Sequence, residues 1–172
     1  MPAFYIIPFV LILAADQITK LLVAARLEVG QSVPAINGLF DITYVQNQGA
    51  AFGILQGRKL TLILVTVVIF VFLIIYALRR NTSSWWLMWS LTLITSGGIG
   101  NLIDRIFNNG LVVDFIDVRI INFPIFNFAD ICAVCGAGLL LLTVIIDEIR
   151  ELKRKKSSPE DDETAEEIAD DE

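Results

Sequence analysis

Residues 60–78 read LTLILVTVVIFVFLIIYAL, a run of apolar side chains and two threonines without a single charge. As a helix the run rises about 28 Å, close to the ~30 Å hydrocarbon core of a bilayer. Three further stretches of similar length, about 4–25, 85–104 and 127–146, are nearly as apolar. In lipid every backbone N–H and C=O must be satisfied within the protein, which leaves helices or closed barrels. Four such runs therefore predict an integral membrane α-helical protein with four transmembrane helices. The first stretch is interrupted by Asp16, Gln17 and Lys20, which makes a cleaved signal peptide its natural competitor. No basic residue precedes its apolar run, and apolar LLVAA follows the interruption, so a retained span is the expectation.

The composition agrees and also prunes the chemistry. The chain is 55% apolar with a mean hydropathy of +0.68, far from a soluble globule. Its 172 residues include no histidine, which removes Ser-His-Asp and Cys-His nucleophile systems, imidazole haem ligation and most catalytic zinc sites. Any reaction must run on carboxylates, lysine, hydroxyls or thiols, and no metal or cofactor is expected. No P-loop, dinucleotide fingerprint, internal repeat or basic-aromatic stripe for nucleic acid is present.

The net charge of −6 is uneven. Nine carboxylates fall in residues 160–172, so residues 1–156, with thirteen basic against ten acidic side chains, carry +3. Residues 157–172 are expected to be a disordered acidic cytoplasmic tail, because Ile168 is their only large apolar side chain. Residues 1–156 are expected to form one membrane domain, acting as a monomer.

Basic residues in short connections favour the cytoplasmic side. Arg79 and Arg80 lie between spans two and three, and Arg150, Lys153, Arg154, Lys155 and Lys156 follow span four. Both sets fall on one side of a four-span chain, so both termini are expected in the cytoplasm and the loops at about 26–59 and 105–126 outside. Trp85, Trp86 and Trp89 then form an inner aromatic belt. The outer loops hold LFDITYV (39–45) and LVVDFIDV (111–118), rich in β-branched and aromatic residues, with a turn signal at Asn108-Asn109-Gly110. A small β-rich extracytoplasmic element is expected there.

Placing the polar residues by depth is the informative step. Spans one and three run outward and span four inward, which brings Asp16, Lys20, Asn101, Asp104, Asn127 and Asp130 to one level near the outer interface. The returning loop adds Asp114. Ionisable groups in a membrane cost several kcal/mol and default to functional readings. Two close carboxylates cannot both ionise easily, so one keeps its proton, which gives the acid and base an aspartic protease uses on water. Asp130 fits such a pair; Asp114, Asp104 and Asp117 all remain open as its partner.

The same residues carry a resemblance. Asp16-Gln17-x-x-Lys20, Asn47-x-Gly49-Ala50-Ala51-Phe52-Gly53, Gly98-x-Gly100-Asn101-x-x-Asp104-Arg105, Val112-Val113-Asp114-Phe115 and Phe126-Asn127-x-Ala129-Asp130 resemble, in order, the blocks of the bacterial lipoprotein signal peptidases (signal peptidase II), membrane aspartic proteases. The acidic tail lies outside that pattern, and Ile131 stands where many members carry serine. The resemblance implies cleavage of a diacylglyceryl-modified prolipoprotein before its lipid-bearing cysteine, at the outer face of the bacterial cytoplasmic membrane. It implies Asp114 and Asp130 as the catalytic pair, with membrane lipid and the lipidated precursor as partners.

Simpler readings stand beside these. Asp16 and Lys20, at i and i+4, neutralise one another, and Asp104 with Arg105 forms a helix-end pair; all but Arg105 are expected to be structural support near the site. Asn101 and Asn127 either bridge helices or orient an aspartate or scissile carbonyl, and Arg105 joins them as a substrate-binding or site-supporting residue. Asn47, between glycines, either makes a turn or contacts substrate. Gly97, Gly98 and Gly100 allow close helix approach, with Ser96 and Gly100 as a small-xxx-small pair. Cys132 and Cys135 lack a second ligand pair for zinc. A transporter would carry polar residues at both depths, and a Ser/Lys peptidase would need a serine better placed than Ser96. A plain membrane anchor leaves the clustered carboxylates without a purpose.

Overall fold

The computed structural model describes residues 3–50, 54–79, 84–121 and 123–157. Ala51, Phe52, Gly53, Arg80 and residues 158–172, the bulk of the acidic segment, lie outside the described residues. One 3-10 turn, Ala3–Tyr5, leads into helix α1, Ile6–Arg26. Strands β1, Ser32–Ile36, and β2, Phe40–Asn47, follow. Helices α2, Lys59–Arg79, and α3, Trp85–Phe107, come next, then strand β3, Val112–Val118, and helix α4, Phe128–Ser157.

Three helices, α1, α2 and α4, are long and apolar enough to cross a membrane. Helix α3 has 23 residues, but its run of Thr95, Ser96, Gly97, Gly98, Gly100, Asn101 and Asp104 dilutes its hydropathy. The dilution has a physical purpose, because α3 is the packing centre of the bundle and meets α4 more extensively than any other element. A Cβ at Gly97 would collide with the Ala129 carbonyl oxygen of α4, and one at Gly100 with the Asp16 carboxylate of α1. At Gly97 the backbones of α3 and α4 come close together. Ser96 is buried and bonds back to Leu93 O at 3.2 Å. Helix α2 leans more lightly on α3 through Leu73, Leu87 and Leu91, with Phe70, Tyr76 and Leu140 around them. Its other faces leave Leu60, Val68 and Leu78 more than 60% exposed, a surface suited to lipid and costly in water.

The three strands form one antiparallel sheet in the order β1-β2-β3. Tyr44, Val113 and Phe115 make its buried face and pack against Val23 and Leu27 at the end of α1. Beyond α3, Asn109 (φ 55°) and Gly110 (φ 94°) turn the chain into β3, as the Asn-Asn-Gly signal predicts. The register places Asn47 opposite Val112 and Val45 opposite Asp114. Phe126 then bridges to Ile116 and delivers the chain into α4. At the other end of the bundle Trp85 and Trp86 are exposed, whereas Trp89 is half-buried against Tyr5, their rings 6.0 Å apart.

Candidate active site

The structure brings together, in one hydrogen-bonded network, every polar residue that depth alone puts at one level. Asp16, Lys20, Asp104, Asp114 and Asn127 are each no more than 3% exposed. That burial makes their partners decisive, since an unpaired buried charge is expensive.

The first half of the network is ionic. Lys20 Nζ lies 3.0 Å from Asp16 Oδ2 and 2.9 Å from Asp104 Oδ2. Asp16 Oδ1 accepts the backbone N–H of Ala129 at 3.0 Å, so a residue of α1 caps the first turn of α4 and answers the positive end of its dipole. Asp104 Oδ2 accepts Val113 N–H at 3.3 Å, which ties α3 to β3. Gln17 Nε2 donates to Asp16 Oδ2 at 3.0 Å and to the Gly100 carbonyl at 3.2 Å. The Asp104-Arg105 pairing expected from the sequence does not form. Asp104 turns to Lys20, and Arg105 donates instead to the carbonyls of Gly49 (3.1 Å) and Asn101 (3.4 Å).

The second half is made of amides. Asn127 and Asp130 form a reciprocal cap at the start of α4: Asp130 N–H donates to Asn127 Oδ1 at 3.0 Å and Asn127 N–H to Asp130 Oδ2 at 3.1 Å. This is the geometry of a capping box, and it fixes the Asp130 side chain from below. Asn101 Nδ2 donates to Asp130 Oδ1 at 2.7 Å. Asp114 accepts from Asn127 Nδ2 at 2.6 Å and from Asn47 Nδ2 at 2.8 Å. Asn47 is held in turn by Gly49 N–H, which donates to its Oδ1 at 2.8 Å. Its turn role and its contact with the cluster are therefore one arrangement. Among the described residues neither Asp114 nor Asp130 has a lysine or arginine nitrogen within salt-bridge distance.

A cavity of about 490 Å³ opens over this second half. Asp114, Asp130, Asn47, Asn101 and Arg105 line its polar side, and Phe123, Phe126, Ile131 and Val134 its apolar side. Asp104 does not line it. Asp117 lies away on the sheet, where it accepts from Thr43 Oγ1 at 2.9 Å and pairs with Arg119 at 3.2 Å. Of the aspartates left open by the sequence, Asp114 and Asp130 share the cavity. Burial is the main force on the Asp114 carboxyl and the Asp130 charge adds to it; the Asn47 and Asn127 amides and Lys20 oppose them, leaving it raised to about 6. One proton held between two carboxyls near neutral pH suits general acid–base chemistry on water.

Gln17 and the apolar wall from Phe123 to Phe126 received no role from the sequence. The Asn127-x-x-Asp130 spacing at a helix start was the available signal for the cap. Cys132 is buried and Cys135 exposed.

Four helices, three of them long and apolar enough to cross a membrane, a small sheet and a cavity lined by two aspartates define the class as a membrane-embedded protein. The sequence model of signal peptidase (SPase) II matches residues 8–146. The lipoprotein signal peptidase of Halothermothrix orenii is 49% identical over 138 residues, covering 80% of this chain and 92% of that one. That of Brevibacillus brevis is 42% identical over 144 residues, covering 84% and 95%. A solved bacterial membrane enzyme at 2.3 Å resolution superposes with a TM-score of 0.79 at 32% identity, covering 86% of this chain and 91% of that one. The chain belongs to the signal peptidase II family, and so to the membrane-embedded proteases that process signal peptides.

Proposed function

We propose that the chain is an aspartic endopeptidase that removes the signal peptide of diacylglyceryl-modified prolipoproteins, cutting before the lipidated cysteine, with Asp114 and Asp130 as the acid–base pair. The observation that carries this reading is that two carboxylates share one cavity, are held by neutral amides and, among the described residues, have no lysine or arginine nitrogen in salt-bridge range. In such a pair the charge on one carboxylate opposes ionisation of the other, so one keeps its proton to higher pH. The ionised carboxylate takes a proton from water as the water oxygen attacks the scissile carbonyl carbon. The protonated carboxyl gives its proton to the carbonyl oxygen. When the tetrahedral diol collapses, the C–N bond breaks, the departing nitrogen takes the proton now held by the first carboxyl, and a diol hydroxyl gives its proton to the other carboxylate as the C=O bond re-forms, so the pair again holds one proton. Asn47, Asn101 and Asn127 keep both carboxylates aimed, and Arg105 braces the Gly49 loop.

Helix α3 is the fourth span in this reading, its polar end at the outer face of the cytoplasmic membrane. Arg79 and the basic end of α4 mark the cytoplasmic side, with both termini there. The apolar wall of the cavity suits a substrate held in the bilayer. Lipid anchoring is worth ~0.8 kcal/mol per buried CH₂, so two acyl chains supply concentration and register.

The test is cleavage by the purified chain in detergent of a lipidated prolipoprotein and of the same precursor without its diacylglycerol. Loss of the lipid is expected to depress kcat/KM sharply. Equal cleavage of both at the same bond would replace this reading with a general intramembrane aspartic protease.

A further inference from the structure

The Lys20 ammonium has three donors, and the structure gives it three acceptors: Asp16 Oδ2 at 3.0 Å, Asp104 Oδ2 at 2.9 Å and Asn101 Oδ1 at 2.9 Å. The third is the informative one. An asparagine amide has two nearly isosteric ends, and rotating it by half a turn exchanges an acceptor for a donor. Asn101 Oδ1 receives Lys20 and also Asn127 Nδ2, at 3.1 Å, which leaves its Nδ2 to donate to Asp130 Oδ1 at 2.7 Å. Turned over, the amide would present N–H groups to an ammonium and a carbonyl to a carboxylate. Both contacts would be repulsive.

Lys20 cannot act on substrate directly. It lines a second cavity of about 530 Å³, with Gln17, Asp104 and Tyr44, on the opposite side of this polar layer, and it is absent from the cavity that holds Asp114 and Asp130. Its two carboxylate partners anchor it from α1 and from the far end of α3, so its position is set independently of anything bound over the dyad. We propose that Lys20 is a positioning residue for the cleavage reaction: by fixing the Asn101 amide with its oxygen inward, it makes Asn101 a permanent hydrogen-bond donor to Asp130. The proposal rests on Asp114 and Asp130 being the reacting pair.

Positioning through Asn101 makes a demand that simple helix support does not. Lys20 and Asn101 must act as one unit on turnover, so that once either is gone the other has nothing left to contribute. Lys20→Met and Asn101→Ala are each expected to lower kcat on the lipidated precursor by about ten- to a hundredfold, the range that outer-layer orienting partners command at metal sites. KM should stay within about twofold, because neither change alters the apolar wall. The Lys20→Met/Asn101→Ala double variant should be no slower than the worse single variant. Lys20→Met leaves Asp16 and Asp104 without their cation, so the cycle is repeated with Lys20→Met/Asp104→Asn, which preserves the charge balance; kcat is counted per molecule that melts cooperatively in detergent.

The same plateau in both cycles supports the proposal. Losses that multiply in the charge-balanced cycle, or a rise in KM with kcat unchanged, overturn it. Asp114→Asn and Asp130→Asn are assayed alongside: activity in either sinks the dyad itself, whereas two inactive dyad variants with multiplying Lys20 and Asn101 losses sink only the positioning role.

Discussion

Two pairs of carboxylates, Asp16 with Asp104 and Asp114 with Asp130, gather around the end of α3 near Asn101 and Asp104, and they are treated in opposite ways. Asp16 and Asp104 share a lysine, and backbone N–H groups take further lone pairs. Asp114 and Asp130 receive amides from Asn47, Asn101 and Asn127 and backbone from Asn127, and they face a cavity. The first pair is compensated by the Lys20 ammonium, and it ties α1, α3, α4 and β3 together where their ends meet. The second has no lysine or arginine nitrogen within salt-bridge distance among the described residues, and burial raises the Asp114 carboxyl to about 6. Burial alone does not distinguish the two, and neither does hydropathy. A cation within salt-bridge distance does.

The comparison breaks first if the two pairs fail to separate function from stability. Asp114→Asn and Asp130→Asn should each lower kcat/KM by at least ~10²–10⁴, the usual worth of acid–base action, with the melting temperature in detergent no lower than that of the parent chain. Chelators should leave the parent activity intact. Cleavage within about tenfold of the parent by either variant would remove the assignment.

Asp16→Ala should do the reverse. It strips one carboxylate from Lys20 and leaves the Ala129 N–H without its acceptor, and breaking a buried pair of this kind costs about 3–5 kcal/mol. Thermal melts should show the loss, while the molecules that remain folded cleave at a rate within about threefold of the parent. A stable but inactive Asp16→Ala would move Asp16 from the structural pair to the reacting one.

The pH profile sharpens the contrast further. With Asp114 raised to about 6, the pair loses its last proton as pH climbs past that value, so kcat/KM should fall on the alkaline side. The limb belongs to the pair rather than to one residue. Asn47 stabilises the charged form of Asp114 by donating to it. Asn47→Ala therefore raises the value further, and the alkaline limb should move to higher pH along with a modest loss of rate. A limb that moves to lower pH would show that Asn47 serves the protonated form.

Much of this arrangement is legible in the sequence, and the reasons for the gaps are specific. Helix α2 follows from uninterrupted apolar length, α4 from the apolar run after Asp130, and α1 from apolar residues on both sides of Asp16, Gln17 and Lys20. Helix α4 runs on to Ser157, past the expected end near 146, because Asp147–Lys156 are mostly good helix formers that need no lipid. Strand β1 escapes notice because Ser32–Ile36 carries Pro34 and is exposed throughout, as an edge strand can be. The level of the polar cluster follows from counting residues along the spans. Its division does not. Asn101 and Asp104 are three residues apart, about 60° around the helix, and that rotation sends one amide towards Asp130 and one carboxylate towards Lys20. Periodicity places both on a polar stripe without saying which side of it meets which neighbour.

The smallest effect is expected from the largest number of carboxylates. Residues 160–172 hold nine of them, more than the two buried pairs together, with a single large apolar side chain, Ile168, to anchor them. Every residue proposed for the reaction or for its support precedes Ile131, and α4 carries about 25 residues between that end and Lys156, a separation of roughly 39 Å along a helix. At physiological ionic strength salt on the tail's own side screens its charges within about 8 Å, far short of that distance. A chain ending at Lys156 should therefore fold, melt and cleave the lipidated precursor within about twofold of the full chain at physiological ionic strength. A larger loss would mean that acidic side chains matter to this enzyme without being buried, and the distinction between compensated and uncompensated pairs would then cover only part of its electrostatics.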